Sequence, residues 1–429
     1  MKKIFKSFVT KTLIFEASLL LKRRKPTIVA ITGSVGKTTT KDAIYAAIKD
    51  SVLARKSEKS FNSEIGVPLT VLGLPNAWNN PIYWLKNLID GMFIALFQKD
   101  YPQVLVLETG IDRPGDMDAL TRWLTPDIVV LTCLPSVPVH VEYFSSPEQV
   151  VQEKMKLVSA LKPDGVVVYN ADDTIIETQL PNILQKVVGY SRYKKSDYTS
   201  SDDRIVYSDN IPTGSAYTIS HQEKSADVRV SDTIGSVQAY SGAAAVAVAG
   251  VLGISLEQAA TSLSQLRTPN GRLRLVRGIK STILIDDTYN SSPIAAEQAL
   301  ETLREVRFAK RKIAVLGDML ELGRYSSEEH ERIGGKIPGT ADLLLTVGVR
   351  ARQFAQGALD AGMPENKILQ YDNTDRAGKE LQNILQLGDV VLVKASQGVR
   401  AEQIIAEVMA EPERAEELLV RQDRAWSVR

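Results

Sequence analysis

The chain has 429 residues, 44% of them hydrophobic and 24% charged, with a formal net charge of +1. That length exceeds one typical core, so two or three domains are expected, and the even charge balance argues against bulk nucleic-acid binding. A single cysteine, Cys133, excludes a disulfide framework or a multi-cysteine zinc site and suits a reducing, cytoplasmic setting.

Residues 1–27 read as a unit. "MKKIFKSFVTKTLIFEASLLLKRRK" has a basic start and an apolar middle, but Glu16 interrupts the run and no small-residue cleavage site follows. About 20 apolar residues are needed to span a bilayer, so the segment is neither a signal peptide nor a membrane span. Ile4, Phe5, Phe8, Phe15 and Leu19 recur roughly a helical turn apart, with Lys2, Lys3, Lys6 and Lys11 between them, which predicts a basic amphipathic helix. Two readings stay open: a helix docked on its own protein, or a peripheral membrane contact through residues 1–25 at the inner face of the membrane.

From Pro26 onward, short apolar runs ("TIVAITG", "QVLVLETG", "DIVVLTC", "GVVVYNADD") alternate with helical patterns. Buried strands separated by helices predict a mostly parallel sheet covered on both faces, with ligands at the carboxyl ends of the strands. This central α/β domain is expected over residues 28–270. Within it, "NAWNNPIYWLKNLIDGMFIALFQKDYPQ" predicts a helix whose aromatics either pack inward or form a surface patch with the N-terminal helix. Residues from about 180 to 235, rich in Ser, Asp and Tyr, are expected to be irregular. "SGAAAVAVAGVLG" predicts a small-residue helix suited to close packing. After the break at Pro269, Asn270 and Gly271 the alternation restarts, which predicts a Rossmann-like α/β domain over residues 271–429.

The chemistry begins at "ITGSVGKTTTK". Strand before and helix after, with Gly33, Ser34, Val35, Gly36, Lys37, Thr38 and Thr39 between, make a phosphate-binding loop. Its backbone N–H groups would cradle phosphate, Lys37 would add a mobile positive charge, and Thr38 could ligate Mg²⁺. The full phosphate-loop spacing would put a glycine at Ile31, so this is a shortened form, T-G-S-V-G-K-T. Glu108 ends the apolar strand "VLVLE", where its carboxylate could reach a metal near Thr38. His140 and, fourteen residues later, Lys154 would each pass for structural residues if met alone.

Their order is specific. A shortened loop, a strand-terminal Glu, a His, then a Lys resembles the Mur ligase family, the ATP-dependent amide-forming enzymes of peptidoglycan precursor synthesis. "NSEIGVPLTVL", "IDDTYNSSP", "AVLGDMLELG" with His330 downstream, and "LVKASQGVRAEQII" are similar to segments of the branch that adds D-alanyl-D-alanine. The resemblance covers about residues 28 to 410. It implies a P-loop ATPase domain and a C-terminal ligase domain, with ATP and two Mg²⁺ ions as cofactors. It further implies a muramoyl-peptide precursor and D-Ala-D-Ala as substrates; the sequence leaves the oligomeric state open, with a monomer expected.

By the resemblance, Lys37 and the loop amides would hold the β- and γ-phosphates, with Thr38 and Glu108 toward the first metal. His140 and a carbamylated Lys154 would support the second, and Arg272 would lie near the γ-phosphate. Asp287 and Asn290 would contact the nucleotide, and Asn62, Asp318, Lys394 and Ser396 would face the substrates. Some positions depart from the family pattern. Relatives of this branch begin with a separate domain for the UDP part of their substrate, whereas only about 27 residues precede the loop here, too few for an α/β domain. Cys133, Gln238 and Ser241 stand where asparagines are usual. A lipid-linked or other carboxylate at the membrane surface is therefore the alternative substrate, and a nucleotide-binding module without catalysis is the alternative class.

Overall fold

The structure, a computed structural model, describes residues 3–58 and 61–422. Its first sheet holds nine strands: β1 (Thr27–Thr32), β2 (Ala54–Lys56), β3 (Val104–Glu108), β4 (Ile128–Leu131), β5 (Val166–Asn170), β6 (Lys186–Ser191), β7 (Tyr198–Ser208), β8 (Ile211–His221) and β9 (Lys224–Ser231). They lie in the order β2-β3-β1-β4-β5-β6-β7-β8-β9, parallel as far as β7. Strand β1 sits between β3 and β4, so the chain leaving it emerges where the strand order reverses, the place where open α/β sheets bind ligands.

Alternate side chains of β1 enter two different cores, which is why its sequence is apolar almost throughout. Val29 and Ile31 pack with Ile44 and Ala47 of α2 (Lys37–Ile48) and with the small-residue helix Val237–Val251. Ile28 and Ala30 face the opposite core, built from α1 (Lys3–Arg24), α3 (Gly66–Leu72), α4 (Pro81–Phe97) and the helix Pro147–Ser159. The glycines of Val237–Val251 let the helix approach the sheet: a Cβ at Gly242 or Gly250 would overlap the Tyr217 or Tyr198 hydroxyl.

Helix α1 docks on the protein. Val9, Leu13, Ala17 and Leu20 are fully buried against this core, each of the larger ones worth roughly 1.5–3 kcal/mol over exposure. The Arg23 and Arg24 guanidiniums donate to carbonyls of Ala95, Leu96 and Gln98, satisfying the carboxyl end of α4. Docking leaves the opposite face of α1 in solvent. Among the described residues no helix is long and apolar enough to cross a membrane.

The stretch expected to be irregular is instead a three-stranded antiparallel meander, β7-β8-β9. Asp209 and Asn210, both at positive φ, form the two-residue turn between β7 and β8. Its many Ser and Asp residues lie on long strands with solvent-facing positions, so polarity there marks exposed positions and not a loop.

A second sheet follows: β10 (Arg274–Gly278), β11 (Thr282–Asp287), β12 (Arg311–Gly317), β13 (Leu343–Val347), β14 (Ile368–Tyr371) and β15 (Asp389–Lys394), in the order β10-β11-β15-β12-β13-β14. Only β10 is antiparallel. Helices cover both faces, giving two further cores and a Rossmann-like layer arrangement. The carboxyl ends of β11 and β15 turn toward the phosphate loop of the first sheet, and the cleft lies between them.

Candidate active site

The loop after β1 is held open by two glycines. Gly33 has φ +145°, and a Cβ there would sit 2.0 Å from the Thr132 hydroxyl; Gly36, at φ +84°, caps α2. Lys37 and Lys154 both donate to the Gly33 carbonyl, at 2.9 and 3.2 Å. Two lysines share one acceptor deep in the protein, so their charges oppose each other. Burial lowers the Lys37 ammonium from its usual range, with Glu108 opposing the shift. Burial lowers Lys154 much further, and the neighbouring Lys37 charge acts the same way. Both causes shift Lys154 toward the neutral amine.

Glu108 ends β3 directly beside the loop, paired in register with Ile31. The Thr38 hydroxyl donates to its Oε1 at 3.2 Å, and the Asn62 amide lies 3.5 Å from the same oxygen. Lys41, 2% exposed in its side chain, stands 3.9 Å from Oε2. Lys41 lies four residues after Lys37, so both stand on one face of α2, a site residue that the motif alone does not mark.

The second domain closes this end from above. Arg272 stacks on Tyr289 with its guanidinium carbon 4.1 Å from the ring centroid, and its Nη2 lies 3.4 Å from the Thr38 hydroxyl. His140, at φ +69°, places Nδ1 2.7 Å from Glu321 of the second domain, and its Nε2 lies 3.8 Å from Asp112. The imidazole at this distance holds the Glu321 carboxyl below the usual range. Glu321 lies within "GDMLELG", where nothing local in the sequence marks its role. The sheet order is what carries it to His140.

Other expected site residues stand one layer back. Lys394 Nζ is 2.5 Å from Asp287 and also donates to the Asn290 carbonyl, so this buried pair braces the loop after β11. Asp318 accepts from the Ala351 N–H at 2.7 Å and supports the loop after β12. Asp287, Asp318 and Lys394 are absent from the cleft wall, whereas Asn62, Asn290 and Ser396 line it. Ser396 accepts from the Leu320 N–H and donates to the Ser291 carbonyl. His330 is fully buried, its Nδ1 donating to the Ser326 carbonyl and its Nε2 accepting from the Met319 N–H, which makes it a structural histidine.

The cleft between the domains measures about 1740 Å³ and is lined by Lys37, Glu108, His140, Lys154 and buried Trp84 among others, with the 42%-exposed Trp78 at its solvent edge. A second cavity of about 330 Å³ lies on the other side of Gly36, lined by Cys133, Asn170, Asp173, Tyr240 and Ser241 among others. Tyr240 donates to Asp172 there, while Gln238 turns away to Thr233. The signal for this cavity was the polar "NADD" at the end of β5, a strand-end position on the ligand side of the sheet.

Fold and site together define a two-domain phosphate-loop enzyme whose second domain lays an arginine over the phosphate cradle. Family comparison agrees. Residues 31–82 and 87–249 match the Mur ligase middle domain, and residues 271–397 match the Mur ligase, glutamate ligase domain. The chain is 28% identical over 389 residues to the UDP-N-acetylmuramoyl-tripeptide–D-alanyl-D-alanine ligase of Bacillus subtilis, covering 90% of this chain and 76% of that one. It is 30% identical to the ligase of the same name from Mycobacterium bovis, covering 89% and 73%. The crystal structure of a MurF ligase from Thermotoga maritima in complex with ADP superposes with a TM-score of 0.75 at 25% identity, covering 94% of this chain and 84% of that one. The chain belongs to the Mur ligase family and is an ATP-dependent, amide-forming ligase.

Proposed function

We propose that this ligase activates the terminal carboxylate of a muramoyl tripeptide and joins it to D-Ala-D-Ala, as the names of its relatives describe for them. The observation that carries the reading is Lys154, a buried, desolvated lysine aimed at the phosphate loop, which a switch or scaffold would not need.

A carboxylate resists attack by an amine because it is anionic and has no leaving group. Transfer of the γ-phosphoryl group from ATP to a carboxylate oxygen gives an acyl phosphate and ADP. The amine of D-Ala-D-Ala then attacks the acyl carbon, loses a proton, and expels phosphate, leaving the amide. Lys37, the loop N–H groups and Arg272 would hold the β- and γ-phosphates and offset the charge that accumulates between them. The 330 Å³ cavity beyond Gly36 suits the base of the nucleotide. Closure of the second domain, fastened by the His140–Glu321 contact, would keep water from the acyl phosphate.

The residues present suit Mg²⁺. Glu108 Oε2 is buried without a hydrogen-bond partner beside the Thr38 hydroxyl. Among the described residues no group of three His, Cys, Asp or Glu converges, so phosphate oxygens would complete most of the shell, as Mg²⁺ prefers. Thr38 and Glu108 would hold one ion, and His140 with carbamylated Lys154 the other. Bound there, the ions neutralise phosphate charge. The neutral Lys154 amine is the form that adds CO₂, giving a carbamate and one proton. With Nδ1 of His140 turned to Glu321, Nε2 would be the ring nitrogen available to an ion.

Phosphate release tests the reading, with ATP, Mg²⁺, D-Ala-D-Ala and muramoyl tripeptide supplied as the UDP-linked or the lipid-linked form. Release that requires both carboxylate and amine is expected; no stimulation by either pair would refute the ligation proposed.

A further inference from the structure

Helix α4 has two apolar faces. Trp84, Asn87, Leu88, Gly91 and Ala95 turn inward, while Ile82, Leu85, Ile89, Phe93 and Phe97 form a stripe on the opposite side, each 60–75% exposed. Neighbouring α1 repeats the pattern. Its inner face is buried in the same core, and its outer face carries Phe8 and Phe15, each 60% exposed, with Lys11 and Lys22 at adjoining turns. Each of these two contacting helices therefore presents an exposed apolar stripe, more than singly scattered exposed residues would. Phe93 and Phe97 contact each other at 4.9 Å between ring centroids, so part of the stripe is pre-packed.

Cations outnumber acids around this surface. Lys6, Lys11, Lys22, Arg23 and Lys25 are exposed on or just after α1, and Lys86 and Lys99 on or just after α4. The acids nearby are few: Glu64 pairs with Lys6, Asp90 pairs with Lys86, Asp100 is exposed beyond α4, and Glu16 is buried. A second copy of the chain would bring the same cations face to face. An anionic surface would not, and cations bordering exposed Phe, Ile and Leu are the composition that binds at a lipid headgroup boundary. The segment leading into α4 also lines the interdomain cleft through Asn76, Trp78 and Asn79.

We propose that the outer faces of α1 and α4 form a docking surface for an anionic lipid bilayer, placing the Trp78 rim of the cleft at the membrane. Docking goes beyond the ligase reading and does not depend on it. Its consequence, that a carboxylate substrate borne on a lipid could enter at that rim, rests on the reading.

Flotation of the full chain with phosphatidylcholine vesicles, with and without 30 mol% phosphatidylglycerol, tests the surface at low and high salt. The expected result is flotation on the anionic vesicles, weakened by salt, and about tenfold lower for Ile89→Ser/Phe93→Ser and for Lys11→Glu/Lys22→Glu. Both double variants change exposed side chains, and an unaltered thermal unfolding midpoint confirms that each is folded. No flotation on anionic vesicles, or equal flotation of a folded double variant, would overturn the proposal. So would sedimentation of the lipid-free chain as a dimer that Ile89→Ser/Phe93→Ser dissociates, which would assign the face to a second copy. Phosphate release is read separately in detergent-free solution, so loss of docking and loss of ligase activity are distinguished.

Discussion

Glu108 and Glu16 are both carboxylates buried to within 2% of full coverage, each with an Oε2 that no hydrogen bond reaches, but their surroundings differ. Glu108 ends an inner strand with donors around its carboxylate: the Thr38 hydroxyl, the Asn62 amide, and Lys41 close by. Glu16 lies under α4 against Gly91, where its Oε2 has no hydrogen-bond partner, and burial pushes its carboxyl up to about 7. One site sets its acid among polar neighbours where a ligand can share it. The other accommodates an acid by favouring its neutral form, at a cost that grows as the proton leaves.

The largest expected effect lies at the first site. Lys154→Ala should lower turnover about 10³-fold, the scale of losing several kcal/mol of charge stabilisation, with partial rescue by added acetate or formate if a carbamate is the missing group. Steady-state phosphate release measures it, and full activity would remove Lys154 from the mechanism. Glu108→Gln comes next. It keeps the shape and should reduce turnover about 10²-fold with a rise in the Mg²⁺ concentration needed for half-maximal rate. An unchanged Mg²⁺ dependence would make Glu108 structural, like Glu16.

The smallest effect is expected at Glu16 and carries a definite pH sign. Its folded-state carboxyl titrates near 7 instead of 4.5, so the folded chain binds the extra proton between those values. The stability it contributes is complete below about pH 4.5 and is lost as pH rises through 7. Glu16→Gln should therefore raise the unfolding midpoint at pH 8 by about 2–4 °C, do little at pH 4.5, and leave turnover within about twofold. Thermal melts at the two pH values check this. A variant that is destabilised at pH 8 would mean Glu16 has a polar partner in solution.

Much of the first site was legible because it depends on local order. A glycine-bearing turn between a buried strand and a helix, with Lys37 at the helix start, follows from spacing alone, and Glu108 follows from being the polar end of an apolar run. The contacts between domains were not legible in the same way. Glu321 reaches His140, and Arg272 reaches Thr38, across more than 180 residues of chain, and only the placement of two sheets brings them together. Asp318 and Lys394 lie in recognisable motifs yet stand behind the cleft wall, because a motif marks a loop and not which of its side chains faces the ligand. The β7-β8-β9 meander escaped notice since exposed strands are polar on one side. The outer stripe of α4 was readable as apolar, but sequence alone could not separate a second buried face from an exposed one.

The central claim is that a carboxylate oxygen becomes part of the released phosphate. Turnover of a muramoyl tripeptide labelled with ¹⁸O in its terminal carboxylate, followed by mass analysis of the phosphate, tests it directly. One ¹⁸O atom in each phosphate is predicted, because the acyl phosphate keeps that oxygen on phosphorus when the amine displaces it. Unlabelled phosphate formed together with the amide would contradict the account.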